Sequence, residues 1–229
     1  MALAFVSFTQ SEDTVGTSVT VAMPATRPAD DFYLFVITRD DDDFTFDANA
    51  DIAELVDFGN GSGLDASLFV GWKKGEASEP ASYEVTTTGG TGERSHVGVF
   101  HYSGQHDTTP IGNISSVNSG TGTQATANAI TATSADSIIL RVYGVNTRYF
   151  DTFSAGTERG SYQVATSGYA NYSVVEEASP GNGASTGTAT ADIYSTFSDG
   201  WMAVTIEIMP AAGGGSIIPQ IMHNRRMQQ

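Results

Sequence analysis

Apolar and polar residues alternate along much of this chain, and a period of two marks a strand whose successive side chains face opposite sides of a sheet. Met202, Val204, Ile206 and Ile208 fall on one face with Ala203, Thr205 and Glu207 on the other, and Pro210, which cannot donate to a ladder, ends the run. Val19, Val21 and Met23 alternate in the same way with Ser18, Thr20 and Ala22 before Pro24. Each pattern predicts a strand with one core face and one wet face. In two other runs both faces are apolar: Phe32, Leu34 and Val36 interleave with Tyr33, Phe35 and Ile37, and Ile138, Leu140 and Val142 with Ile139, Arg141 and Tyr143. These predict central strands covered on both sides. Further β-rich runs occupy residues 68–72, 83–88 and 97–102, set off by Lys73-Lys74-Gly75, Gly89-Gly90 and Ser103-Gly104. The core is expected to include Val21, Leu34, Phe35, Trp72, Phe100, Leu140, Val204 and Ile206. Only residues 50–56 hint at a helical period, predicting a short helix on a loop.

Strands recurring about every dozen residues predict an all-β, antiparallel β-sandwich. With 229 residues and 24.0 kDa the chain can form one large sandwich or two small ones tightly packed. The stretch from Pro110 to Ala132, polar and poor in bulky residues at 118–123, is either a linker or a long inter-sheet crossing, and it reads as the crossing within a single sandwich domain over residues 1–212. Gly213-Gly214-Gly215 then forms a hinge, and residues 213–229 a separate tail. In that tail Ile217, Ile218, Pro219, Ile221 and Met222 are apolar, whereas Arg225 and Arg226 are basic on an otherwise acidic chain. The pattern suits an arm whose aliphatic side chains fill a neighbour's groove while the arginines find carboxylates.

Charge and composition narrow the partners. Lys+Arg 10 against Asp+Glu 26 gives a formal net charge of −16, which opposes a phosphate backbone and argues against direct nucleic-acid binding. Cysteine is absent, which rules out disulfides, thiolate nucleophiles and Cys-based zinc sites. Neither a signal-peptide pattern nor an apolar run of membrane-spanning length is present, so synthesis and assembly in a cytoplasm are expected, with no membrane partner.

The segments Val19-Thr20-Val21-Ala22-Met23-Pro24 before Asp31-Phe32-Tyr33-Leu34-Phe35-Val36, and Phe69-Val70-Gly71-Trp72-Lys73-Lys74-Gly75 before Glu79-Pro80-Ala81-Ser82-Tyr83, carry a likeness to known proteins. His101-Tyr102-Ser103-Gly104 before Thr109-Pro110-Ile111, then Ser134-Ala135-Asp136-Ser137-Ile138-Ile139-Leu140 and residues 202–209, continue it. In this order they resemble the jelly-roll-like β-sandwich module of tailed-bacteriophage virion proteins. The resemblance implies a non-enzymatic virion component, a capsid decoration or cement protein or a tail protein. It further implies a homo-oligomer bound to neighbouring virion proteins, with no catalytic residues to carry over. The acidic loop at 40–43 departs from the pattern.

Chemistry beyond that module rests on few groups. Asp41, Asp43 and Asp47, within the acidic stretch that begins at Asp40, are candidate Ca²⁺ ligands, although EF-hand spacing is not met and a solvated acidic turn accounts for them. No other cofactor is expected. His96, His101 and His106 are evenly spaced, but His96 and His101 face opposite sides of a continuous strand, which argues against a metal site and leaves His101 as a polar-face or interface residue. No Gly-x-Ser-x-Gly elbow is present, and Gly59-Asn60-Gly61-Ser62-Gly63 lacks the ending of a phosphate loop. Tyr149, Tyr162 and Tyr172 are candidates for stacking on sugar rings, making a receptor-contacting glycan-binding module the alternative reading. Glu158, Glu176 and Glu177 leave a β-sandwich hydrolase as the third.

Overall fold

The computed structural model describes residues 2–14, 18–40, 45–47, 51–59, 66–88, 94–164, 169–194 and 198–212, with the backbone alone at 13–14, 45–47 and 87–88. Among these residues there is no helix, and every strand pairing is antiparallel. The first half contains β1 (Ala4–Thr14), β2 (Ser18–Ala22), β3 (Phe32–Arg39), β4 (Thr45–Asp47), β5 (Ala53–Gly59), β6 (Ser67–Lys74), β7 (Ser82–Thr88) and β8 (Arg94–Ser103). The second contains β9 (Ile111–Ile114), β10 (Asn118–Gly122), β11 (Gln124–Ala127), β12 (Ile138–Val145), β13 (Phe150–Phe153), β14 (Thr157–Tyr162), β15 (Asn171–Ala178), β16 (Ala189–Ile193) and β17 (Asp199–Ile208).

The two halves are built alike. The first forms an inner sheet in the order β1-β8-β3-β6-β5 and an outer sheet β2-β7-β4; the second forms β10-β17-β12-β15-β14, with β9 also on β17, and β11-β16-β13. Replacing β1 by β9 and β10 together, β2 by β11, and so on to β8 by β17, converts one order into the other. Registers agree as well. Phe32 pairs with Tyr102 and Lys74, and its counterpart Ile138 pairs with Ile208 and Ala178. Even an irregularity recurs: a shift between Phe5 and Ser7 opposite Tyr102 and His101 matches one between β9 and β17 at Ile206/Ile208. Each half is therefore a jelly-roll sandwich whose fifth strand has joined the edge of the inner sheet. Where a single sandwich over residues 1–212 was expected, the strand orders form two packed together, and the 110–132 stretch, expected as a crossing, contains the strands β9, β10 and β11, with β10 at the sheet edge.

The units stack through their inner sheets, giving four layers. Phe32, Leu34, Val36, Val70, Phe100 and Tyr102 of the first meet Leu140, Val142, Tyr172, Val174, Val204 and Ile206 of the second in one central core. The opposite face of β3, with Tyr33, Phe35 and Ile37, packs under the first outer sheet against Val21 and Val85. Tyr143, Val145, Trp201 and Ala203 pack under the second outer sheet against Ala125 and Ala191. Close approach is needed at Gly98, where a Cβ would lie 2.6 Å from the Tyr172 hydroxyl oxygen. A side chain there would push the units apart.

Of the expected core residues all are buried except Trp72, which is partly exposed at the rim of the central core. Two other expectations are corrected. Of residues 50–56, expected as a short helix, the described ones, 51–56, do not form one: a register shift between Glu54 and Val56 turns β5 over, so Ile52 joins the first unit's own core while Val56 joins the central one. The helix-like spacing of four thus arises from a bulge. Secondly, the supposed wet face of β17 is dry, because Ala203, Thr205 and Glu207 lie beneath the second outer sheet and its connections.

A shared core predicts a shared unfolding transition. Trp72 and Trp201 are the two tryptophans, one in each unit, so Trp72→Phe and Trp201→Phe variants let fluorescence follow each unit separately in a urea titration. The two curves should coincide in midpoint and slope, and Val204→Ala should lower both together, by about 2–4 kcal/mol in stability. Separate midpoints would show that the units unfold independently.

Candidate functional site

Some of the polar side chains buried in the structure lie where loops close the ends of the two sandwiches. At the pole where β3 begins, Ser7 Oγ lies 3.4 Å from His101 Nδ1, and His101 Nε2 lies 2.7 Å from Asp31 Oδ2. The Asp31 carboxylate oxygen accepts from the ring at Nε2, and Nδ1 faces the Ser7 hydroxyl. The order Ser, His, Asp has the look of a nucleophile chain. Its surroundings do not suit one: the His101 side chain is 1% exposed and stacked on Tyr33, with ring centroids 4.9 Å apart.

The duplicate indicates what the position does. His101 corresponds to Glu207, Asp31 to Ser137 and Ser7 to Asn113, and these second-unit residues also meet. The buried Glu207 carboxylate accepts from Asn113 N at 3.1 Å, Thr133 N at 2.8 Å, Thr133 Oγ1 at 2.8 Å, Ser134 N at 3.2 Å and Ser137 Oγ at 2.7 Å. Burial opposes its charge, but the hydrogen bonds from Ser137, Asn113 and Thr133 together outweigh burial and hold its carboxyl below the usual range. In both units the penultimate residue of the last strand or its neighbour thus fastens the connection that enters the third strand. In both copies the buried group ties backbone or side chains of that connection to the last strand, so the shared property is anchoring.

Arg141 serves a similar purpose inside the second sandwich. Its Nε donates to Glu177 at 2.9 Å, one terminal nitrogen to Thr205 Oγ1 at 2.8 Å and Asn128 O at 3.1 Å, and the other to Thr186 O at 3.2 Å and Gly187 O at 3.1 Å. Its counterpart in the first unit is Phe35. One copy fills this space with an aromatic ring, the other with a guanidinium whose donors all reach acceptors.

Where the units meet, His96 is wholly buried. Its ring stacks on Tyr162 with centroids 3.6 Å apart, Nδ1 lies 2.6 Å from Ala170 O, and Nε2 has no partner. Tyr169 lies beyond, and Arg94 pairs with Glu12, which also accepts from the Tyr162 hydroxyl at 2.8 Å. Desolvation pushes the His96 pKa down to about 4.

The candidates read from the sequence scatter over this frame. Tyr172 is corrected outright: it is a central-core residue, packed edge-on against Phe100, and offers no face to a sugar. Tyr162 is engaged by His96 and Glu12. Tyr149 remains accessible and stacks on Tyr194, centroids 4.5 Å apart and rings 12° from parallel, with Tyr194 itself 49% exposed. The sequence reading missed Tyr194, which no local pattern joins to Tyr149. Glu176 forms a forked pair with Arg159 at 3.0 and 2.7 Å, Glu177 pairs with Arg141, and Glu158 accepts from Ser173, so the three carboxylates do not converge. His106 accepts from Thr109 N within its own loop. Among the described residues no group of three or more His, Cys, Asp or Glu side chains is placed to hold a metal ion. Asp41 and Asp43, the side chain of Asp47, and Ile217, Ile218, Pro219, Ile221, Met222, Arg225 and Arg226 lie outside the described residues.

The surface of the described residues includes two grooves. One, of about 510 Å³, is bordered by Asn113, Ile114, Ser115, Asn128, Ile130 and Thr131. The other, of about 670 Å³, lies at the pole where both described chain ends meet and includes Leu3, His106, Asp136, Met209, Pro210 and Ala212. Comparison with known proteins finds no matching family model, curated protein or solved structure.

The buried titratable groups set an expected acid response. His96 is harder to protonate folded than unfolded, so the unfolded chain takes up the extra proton and stability falls as pH drops from about 6.5 towards 4. Glu207 has a lowered folded pKa, so its contribution is full above its ordinary value of 4.5 and is lost as pH falls through the folded one. Thermal melts from pH 7 to 4 should show a falling midpoint, and His96→Phe should flatten the part above pH 5. Glu207→Ala, which strands buried donors, should cost about 2–4 kcal/mol at pH 7; a loss below about half a kcal/mol would contradict the anchoring role.

Proposed function

We propose that this chain is a non-enzymatic structural protein of a bacteriophage virion, a capsid decoration protein or a tail component, assembling through its sandwich surfaces and its C-terminal arm. The observation that carries this reading is the duplicated jelly roll, joined sheet to sheet into one four-layered block. Such a block offers broad outer faces for contact with neighbours, and its buried polar groups hold connections in place, leaving none of those described at a cleft suited to turnover. The resemblance of the strand and turn segments to phage jelly-roll modules points the same way.

Mass spectrometry of particles purified from a strain carrying the gene tests the proposal. The chain should be found at many copies per particle, and antibody labelling in electron micrographs should mark the capsid surface or the tail. Particles that lack it, made by cells that express it, would overturn the reading.

Tyr149 and Tyr194 favour a second reading, a glycan-contacting module, because an accessible aromatic pair can take a sugar face. On a glycan array, binding that disappears in a Tyr149→Ala/Tyr194→Ala variant with unchanged melting would establish it. The structural role predicts no such signal.

A further inference from the structure

Tyr194 and Tyr149 stand at one end of the second outer sheet, where Tyr194 N donates to Tyr149 O at 2.8 Å and the two rings stack. Among the described residues the other exposed large hydrophobic side chains are Val6 and Ile114, and both belong to strands of the inner sheets. The fold does not require this aromatic pair. Ser18 pairs with Thr86 as Gln124 pairs with Asp192, so Thr88 is the first-unit equivalent of Tyr194, and Thr45, opposite Thr88, is the equivalent of Tyr149. The same sheet corner carries threonines in one copy and tyrosines in the other.

Around the pair the sheet face is polar. A register shift between Phe150 and Thr152 leaves Asp151 and Thr152 both exposed. Thr152 Oγ1 and Gln124 Nε2 each donate to Asp192 at 2.7 Å. Partial desolvation, the contact with Tyr194 and the negative charge of Asp151 hold the Tyr149 hydroxyl above the usual tyrosine range, which sets the Asp151 carboxylate beside the pair.

We propose that the exposed ring of Tyr194 is the stacking face for one pyranose of an uncharged saccharide, with Tyr149 holding that ring in position and Asp151 accepting from a sugar hydroxyl. The inference rests on the glycan-contacting reading and names its ligand class. Size decides against a protein partner: a stable interface covers about 800 Å² on each side, whereas one exposed ring on a polar face matches a single sugar ring. Charge decides against an acidic one. A carboxylate, sulfate or phosphate on the saccharide would approach Asp151 and Asp192 on a chain of net charge −16, and like charges repel. A hydroxyl instead donates to Asp151, while the hydrogens of a pyranose face meet the π face of Tyr194. Because Tyr194 is already stacked on Tyr149, little side-chain freedom is lost on binding.

The test uses the full chain on an array of neutral gluco-, galacto- and manno-oligosaccharides beside uronic-acid and sulfated oligosaccharides of the same length. Calorimetric titration with the best array ligand then compares the wild type with Tyr194→Ala, Tyr149→Ala, Tyr149→Phe and Asp151→Asn, and melting temperatures verify folding. Neutral oligosaccharides should bind, Tyr194→Ala should weaken binding at least about tenfold and Asp151→Asn about fivefold. Tyr149→Ala should also weaken it, and Tyr149→Phe, which keeps the stack, should restore it. A preference for acidic saccharides would overturn the ligand class and leave the glycan-contacting reading standing, whereas no binding to any saccharide would overturn both. Neutral binding that survives Tyr194→Ala would place the contact elsewhere and overturn the assignment. A wild-type oligomer, read by light scattering, that Tyr194→Ala reduces to a monomer would give the pair to a second copy and overturn it as well.

Discussion

Everything in this protein depends on the contact between two sheets that are apolar on both faces. An apolar inner sheet cannot be left half covered. Each unit covers one side with its own three-stranded outer sheet, and the other side is covered by its duplicate, so β3 and β12 are buried along their full length. The polar contacts between the units follow that burial. Thr38 Oγ1 donates to Ala170 O at 3.0 Å, and His96 is enclosed between Ala170 and Tyr162, because both sheets come close enough to exclude water.

Within this frame the two copies solve the same local problem with different chemistry. A loop entering the third strand needs an acceptor at its base. The first unit uses an imidazole bridging Asp31 and Ser7; the second uses the Glu207 carboxylate and a ring of backbone and hydroxyl donors. The interior sites Phe35 and Arg141 diverge in the same way. Such exchanges are tolerated when every buried donor finds an acceptor, as the Arg141 contacts illustrate.

The strands legible in the sequence are β3, β6, β8, β12 and β17, buried by a layer on each side or by one continuous core, together with β2 and β7 of the first outer sheet, whose bulky apolar residues face that unit's own core. The other edge strands left little trace. β14 reads Thr-Glu-Arg-Gly-Ser-Tyr, and it holds its place through Gly160, where a Cβ would lie 2.7 Å from the Phe8 ring, and through pairing with β15. Glu207 looked like an outward residue because alternation alone cannot tell water from a loop rich in donors. Asp31 and His101, or Tyr149 and Tyr194, are joined by strand pairing over long separations that no local period records. A signal for the duplication did exist: Thr20, Ala29, Asp30, Leu34 and Val36 recur as Thr126, Ala135, Asp136, Leu140 and Val142 at constant spacing.

The position of β17 in its sheet bears on how the molecule would carry mechanical load. β17 leads into the C-terminal segment and is flanked by β12 on one side and by β9 and β10 on the other, whereas β1, at the other end of the chain, is an edge strand held by β8 alone. Tension applied along β17 would act in shear on two ladders at once, so many hydrogen bonds would have to break together. The same pull on β1 would meet a single ladder. The C-terminal end is therefore the stronger tether, and under force the chain should yield first at its N-terminal strand.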